Sequence, residues 1–291
     1  MKILDIVTSP WAISPECLSE IRQIYAAHLR GEKIDWQKIE AGIASYQSPY
    51  PDSGYDLIDG VAVIPITGPI TKGSSFLSFL FGGMTVDEIS GAFSDALQDD
   101  AASSIMLQVN SPGGSILGIQ ELATQIYEGR QSKPIVTYCD GVMASAAYWI
   151  GSASEKVYIS GQLNAVGHIG VILTHHTDKW EDETKFYAGK YKHIDAGGDL
   201  NDEDKEILQA RVDYVYSIFV SDVAKFRGVS TDTVLSNMAE GRVFIGQQAV
   251  TAGLVDGIAT FDSVHSGLAI GDMAAAQAFS KLEAHLKGAF A

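Results

Sequence analysis

A hydroxyl sits among small side chains in Asp140-Gly-Val-Met-Ala-Ser-Ala-Ala-Tyr-Trp149. Such neighbours suit either a core spacer or a nucleophile, Ser145, that a substrate backbone must approach closely. A second stretch, Asn110-Ser-Pro-Gly-Gly114, follows a short apolar strand and is expected to open a helix. The N–H groups of Gly113 and Gly114 would then point outward at a helix amino terminus, where negative charge is favoured. The stretch matches neither the dinucleotide glycine fingerprint nor a Walker loop, because no Lys-Ser/Thr follows, so an oxyanion suits it better than a phosphate. Ser145 lies at another strand-to-helix junction, and in open α/β sheets ligands gather beyond the carboxyl ends of the strands. Both turns are therefore expected to face one crevice. Donors from the glycine turn and from the Ala146 N–H would converge on a carbonyl attacked by Ser145, as stabilisation of a tetrahedral oxyanion requires.

A serine nucleophile needs a base. Spacing alone selects none of the histidines, His28, His168, His175, His176, His193, His265 and His285. Lysine can serve where burial disfavours its charged form. Lys190 and Lys192 flank Tyr191 in Tyr187-Ala-Gly-Lys-Tyr-Lys-His-Ile194, a pair whose default reading is a solvated one.

Several elements must position these residues. Ser14-Pro15 starts a helix with Leu18, Ile21 and Tyr25 at helical spacing, a second short helix follows Asp35, and residues 45–55 form a Ser/Pro/Tyr/Gly-rich linker. From about residue 57 strands and helices alternate. Residues 60–66 read as a strand, Thr85-x-x-Glu88 as a capping box opening a helix to about Leu97, and 105–109 as a strand. A helix with Ile119, Leu122 and Ile126 on one face leads to a strand over 134–139; a helix from about Ala144 and a strand over 156–159 follow. The alternation predicts a mostly parallel sheet with crossover helices. A long helix is expected from Asn201 to Arg227, burying a stripe of Leu208, Val212, Val215, Phe219, Val223 and Phe226 and ending at Gly228. A shorter helix spans 231–238, and the Ala-rich tail from Asp272 is expected to be helical.

The chain has 291 residues, 46% of them hydrophobic and 19% charged, which suits one large globular domain with appendages. A net charge of −16 and no long basic cluster argue against nucleic acid or an anionic membrane as partner. Cys17 and Cys139 match no metal spacing and read as reduced thiols, which fits a cytoplasmic protein. The amino terminus lacks a signal-peptide pattern, and the apolar run Phe76–Phe81 is far too short for a span.

Four stretches taken together, Val109-Asn-Ser-Pro-Gly-Gly114, Met143-Ala-Ser-Ala-Ala-Tyr-Trp149, Val166-Gly-His-Ile-Gly-Val-Ile172 and Gly189-Lys-Tyr-Lys192, resemble the S49 serine peptidases. These are the signal peptide peptidase A type enzymes and the phage minor capsid protein C type head proteases. The resemblance covers roughly residues 58–262 and includes Gly246-Gln-Gln-Ala-Val-Thr-Ala-Gly-Leu-Val-Asp256. It implies an α/β, Clp/crotonase-like superhelical core of repeated strand-helix units with a small helical N-terminal arm. The expected domains are 1–57 (arm and linker), 58–265 (peptidase) and 266–291 (Ala-rich tail).

The resemblance also implies a Ser/Lys dyad of Ser145 and Lys192, with oxyanion donors at the N–H groups of Gly114 and Ala146, Gly113 shaping the turn, and no metal or cofactor. The family commonly has Gly-Ser-Ile-Gly where this chain has Gly167-His168-Ile169-Gly170, so His168 is expected near the dyad, orienting Lys192 or acting as base itself. The Ser-Pro-Trp-Ala-Ile-Ser-Pro-Glu arm resembles phage head-protease sequences. The resemblance therefore points to a head maturation endopeptidase that cuts scaffold or minor capsid protein, assembles as a homo-oligomeric ring, and works in the host cytoplasm or the assembling virion. A bacterial signal-peptide-peptidase-like protease degrading peptides is the alternative within the family. Outside it stand a crotonase-like acyl-CoA enzyme, which would need neither Ser145 nor Lys192, and an inactive structural shell protein.

Overall fold

The apolar runs do form parallel strands. The computed structural model describes residues 10–15, 17–19, 23, 53–73, 82–175, 188–194 and 199–270. The larger sheet is built on β3 (Val61–Thr67), β6 (Ser104–Ser111) and β8 (Ile135–Ala144), adjacent and parallel, with β2 (Asp56–Ile58) antiparallel at the β3 edge. Strand β8 is long enough to change partner along its length. Residues 136–139 pair with β9 (Lys156–Ile159), whereas 142–144 pair with β10 (Ala165–Gly167). Two late strands complete this sheet, β11 (Val243–Ile245) against β10 and β12 (Gly257–Ile258) against β9.

Helices α1 (Val86–Gln98) and α2 (Ile119–Gly129) connect the central strands. Helix α1 starts at the expected capping box: the Glu88 N–H donates to Thr85 Oγ1 at 3.1 Å and the Thr85 N–H to Glu88 Oε2 at 2.7 Å. Helix α2 buries Ile119, Leu122 and Ile126 as its periodicity predicts. The short α3 (Ala146–Gly151) is buried along its whole length. After the turn at 188–194 comes α4 (Asp202–Arg227), capped by Asn201 and closed by Gly228 in the left-handed conformation. Next are α5 (Thr231–Thr233), continued by a π turn over Val234–Met238, then α6 (Gln247–Ala252) and α7 (Phe261–Ala269).

Two expectations need correction. Asn110–Gly114 does not open a helix: β6 runs on to Ser111, Gly113–Ser115 form a strand (β7), and α2 begins only after Gly118, which has φ 81°. The glycines take part in a second, four-stranded sheet of order β1 (Trp11–Ile13), β7, β4 (Ile70–Thr71), β5 (Met84–Thr85). Their partners are remote in sequence, so local turn chemistry could not reveal the pairing. The stripe on α4 is buried only at its carboxyl half: Phe219, Val223 and Phe226 are in the core, whereas Leu208, Val212 and Val215 stay half-exposed. The buried half is where Phe219 stacks on Trp149 of α3 at 4.3 Å between ring centroids.

At the N-terminus, Ser14 opens a helix as expected, accepting the Cys17 N–H at 3.3 Å, but Trp11–Ile13 just before it are a strand. The helix after Asp35, most of the 45–55 linker, Phe76–Phe81 and the tail from Asp272 lie outside the described residues.

The segment ending in Asp256 locks onto the core through a buried ion pair. Arg227 donates to Asp256 at 2.8 Å, and the Val157 N–H reaches the same carboxylate at 2.9 Å. Burial alone would raise the Asp256 carboxyl, yet Arg227, the Val157 N–H and Lys156 hold it below the usual carboxylate range.

Candidate active site

Ser145 stands where β8 turns into α3, at φ 58° and ψ −120°. A side chain with a positive φ of this kind costs roughly 1–3 kcal/mol and persists only where its surroundings over-determine it. Here they do. The Ser145 N–H donates to the Gly167 carbonyl at 2.8 Å, and its carbonyl accepts the Trp149 N–H at 2.9 Å. Behind it, Trp149 Nε1–H donates to Asp222 at 3.0 Å and the Tyr148 hydroxyl donates to the Leu254 carbonyl at 2.8 Å. Ser145 is 0% exposed, and its hydroxyl donates to the Gly170 carbonyl at 3.4 Å. A small residue on either side lets α3 pack this tightly, so the Ala-Ser-Ala-Ala run serves the elbow directly.

The glycine turn lies against this elbow. A Cβ on Gly113, which has φ 101°, would come within 3.0 Å of Ser145 Cβ and would strike the carbonyl oxygens of Ala144 and Ala12. A Cβ on Gly114 would run into the Ile70 carbonyl oxygen. Glycine is therefore required at both positions by close backbone approach. Ser111 holds the turn: its hydroxyl donates to the Gly68 carbonyl at 2.6 Å and accepts the Gly113 N–H at 3.2 Å. The Gly113 N–H is thus engaged within the turn, and Gly114 pairs with Ala12 of β1. The position of Ser111 within the glycine motif carries no local signal of this role, because its acceptor, Gly68, lies 43 residues away. A register shift in β6 at Asn110, whose side chain accepts the Val142 N–H at 3.2 Å, turns the end of β6 toward β8.

His168 closes a third side. Gly167 pairs with Ala144, the residue before Ser145, and His168 follows it at φ 53° with its N–H on the Arg242 carbonyl at 2.8 Å. Residues 167–170 thus wrap the serine, supplying carbonyls both to its N–H and to its hydroxyl.

The lysines differ from one another. Lys190 pairs with Glu203 at 2.7 Å and with the Tyr191 hydroxyl at 2.9 Å, contacts that raise its pKa and keep it charged. Lys192 is exposed on the same turn, and among the described residues it is not hydrogen-bonded to Ser145. The turn is clipped to the start of α4 on both sides of Lys192. Tyr191 donates to Glu203 at 2.6 Å, and His193 bridges the Lys190 carbonyl and the Asp204 carboxylate, both at 3.0 Å. Both bridging partners are acceptors, so only the doubly protonated ring donates to each, and the His193 pKa is raised, chiefly by Asp204. The pairing of His193 with Asp204 had no signal in the sequence, because the two lie on separate elements.

The Clp protease family matches residues 92–161, the stretch that carries both the glycine turn and Ser145. The chain belongs to peptidase family S49, which matches residues 128–274, half of the sequence. The resemblance read from the motifs is thereby borne out. The chain is 32% identical over 215 residues to the head-tail preconnector protein GP5 of Enterobacteria phage P21, covering 71% of this chain and 42% of that protein. It is 28% identical over 216 residues to capsid assembly protease C of Escherichia phage lambda (72% and 48%) and 27% identical over 239 residues to protease 4 of Salmonella typhi (79% and 38%). The chain thus spans less than half the length of each of these relatives.

Proposed function

We propose that the chain is a serine endopeptidase in which Ser145 attacks a peptide carbonyl and a lysine, Lys192, takes its proton. The developing oxyanion is held by the backbone N–H groups of Gly114 and Ala146. Lys192 passes the proton to the leaving amine as the C–N bond breaks and the acyl-enzyme forms, then takes a proton from the attacking water and returns it to Ser145 as the acyl-enzyme is hydrolysed. The observation that carries this reading is the strained, fully buried Ser145 packed against the Gly113–Gly114 turn. Lys190 is the weaker choice of base because Glu203 and Tyr191 hold it charged. Lys192 is exposed and not bonded to Ser145, so the reading requires substrate or a second copy of the chain in a ring to cover the 188–194 turn.

The likeness to a phage preconnector protein and a capsid assembly protease supports scaffold or minor capsid protein as the substrate class. The setting would be the host cytoplasm or the assembling virion. None of the described helices is long and apolar enough to cross a membrane.

A fluorophosphonate probe tests the chemistry. The expected result is a label on Ser145 that is absent in Ser145→Ala and strongly reduced in Lys192→Ala; no label from neutral to alkaline pH overturns the reading. A second base assignment has its own support, because residues 167–170 wrap Ser145. If His168→Ala loses labelling while Lys192→Ala keeps it, His168 is the base.

A further inference from the structure

Residues 11–13 lie between the two backbone edges that flank Ser145. On one edge β1 runs antiparallel to β7, with Trp11 opposite Ser115, Ala12 opposite Gly114 and Ile13 opposite Gly113. On the other edge Trp11 exchanges both backbone hydrogen bonds with Ile172, each 2.8 Å long, two residues beyond the carbonyl that holds the Ser145 hydroxyl. Successive residues of an extended strand direct their N–H and C=O groups to opposite edges. Since Trp11 faces Ile172, the Ala12 carbonyl faces the glycine strand. A Cβ on Gly113 would meet that carbonyl oxygen and Ser145 Cβ together, so the Ala12 carbonyl and the Ser145 side chain border the same point.

This is where a substrate carbonyl would have to lie to meet both Ser145 and the Gly114 N–H. The segment is well seated: Trp11, Ala12 and Ile13 are 1%, 0% and 2% exposed. Trp11 and Ile13 pack with Leu18 and Ile172 on one face, while Ala12 joins the main core on the other.

We infer that residues 11–13 are a peptide ligand of the chain's own cleft, bound by strand addition with Ala12 in the place of the residue whose carbonyl is attacked, and that they exclude substrate until displaced. The inference rests on the peptidase reading above. A segment seated about 90% of the time lowers the apparent affinity for an incoming peptide about tenfold.

Ala12→Glu puts a carboxylate where no exposed surface remains and should unseat the strand. A peptidyl fluorophosphonate is then expected to label Ser145 about tenfold faster than in the unsubstituted chain. A synthetic peptide spanning residues 8–16 should slow that labelling competitively, and the same peptide with the glutamate should not. Equal labelling rates in the two folded proteins overturn the inference and leave the peptidase reading standing; no label in either protein sinks both. Should Ala12→Glu fail to fold, hydrogen exchange on the unsubstituted chain decides. The amides of residues 11–13 are expected to lose protection when the peptidyl probe occupies Ser145, and unchanged protection overturns the inference.

Discussion

The serine side and the lysine side of the candidate site are built from different materials. Ser145 is over-determined by the core: a long strand ends in it, a fully buried helix anchored through Tyr148 and Trp149 leaves from it, and the Gly167 carbonyl and the Trp149 N–H bond its backbone. Lys192 sits on an exposed turn held by polar clips, from Lys190 and Tyr191 to Glu203 and from His193 to Asp204. A strained nucleophile demands tight packing around it. A lysine base demands burial before it can accept a proton, and this turn does not supply that burial by itself. Under the proposed mechanism, the permanent part of the site would lie on the sheet and the conditional part on the turn.

The largest expected effect tests the permanent side. Ser145→Ala should lower peptidase activity by about 10³-fold or more with a nearly unchanged melting temperature, since alanine keeps the Cβ and the backbone of the elbow and removes only the hydroxyl. Retained turnover would show that the elbow is only structural. Next, Lys192→Ala is expected to cost about 10²–10⁴-fold in kcat, the usual range for a positioned acid-base group, with almost no change in melting temperature. A large loss of stability would contradict the conditional character of the turn. Gly114→Ala pushes a methyl into the Ile70 carbonyl and should cost about 10²–10³-fold in kcat through displacement of one oxyanion donor. Steady-state kinetics on correctly folded protein, checked by circular dichroism, reads this effect.

Smaller effects sharpen the difference. Tyr148→Phe leaves the buried Leu254 carbonyl without its hydroxyl donor and is expected to destabilise by about 1–3 kcal/mol in urea unfolding. On the turn, pH is the lever. The folded His193 pKa is raised, so the support given by its bridge is fully present below about pH 6.5, the ordinary value, and is lost as pH rises through the raised one. Hydrogen exchange in residues 188–194 should therefore quicken as pH rises through that window, beyond the intrinsic pH dependence, and His193→Ala should remove the step. The core around Ser145 should show no matching step.

Much of this was legible in the residues. The capping box Thr85/Glu88, the α4 limits from Asn201 to Gly228 and the alternation giving β3, β6, β8 and β9 rest on local signals, and the structure reproduces them. Ser145 was legible as an elbow because small residues flank it at a strand-to-helix junction. The glycine turn was misread as a helix start because β7 exists only through pairing with Trp11–Ile13 and Ile70, segments far away in the chain. The α4 stripe was half wrong for a related reason: periodicity identifies the apolar face of a helix but not what covers it. The His193–Asp204 clip had no local signature at all.

The two cysteines differ in a way that has an experimental use. Cys139 is buried in β8, and burial pushes its thiol up to about 12, far from the thiolate form that reacts at neutral pH. Cys17 is partly exposed, in the first turn of the helix that follows Trp11–Ile13. A thiol-directed fluorophore is thereby steered to one address beside the strand over Ser145, so the native sequence already contains a single-label optical gauge of whether that strand is docked.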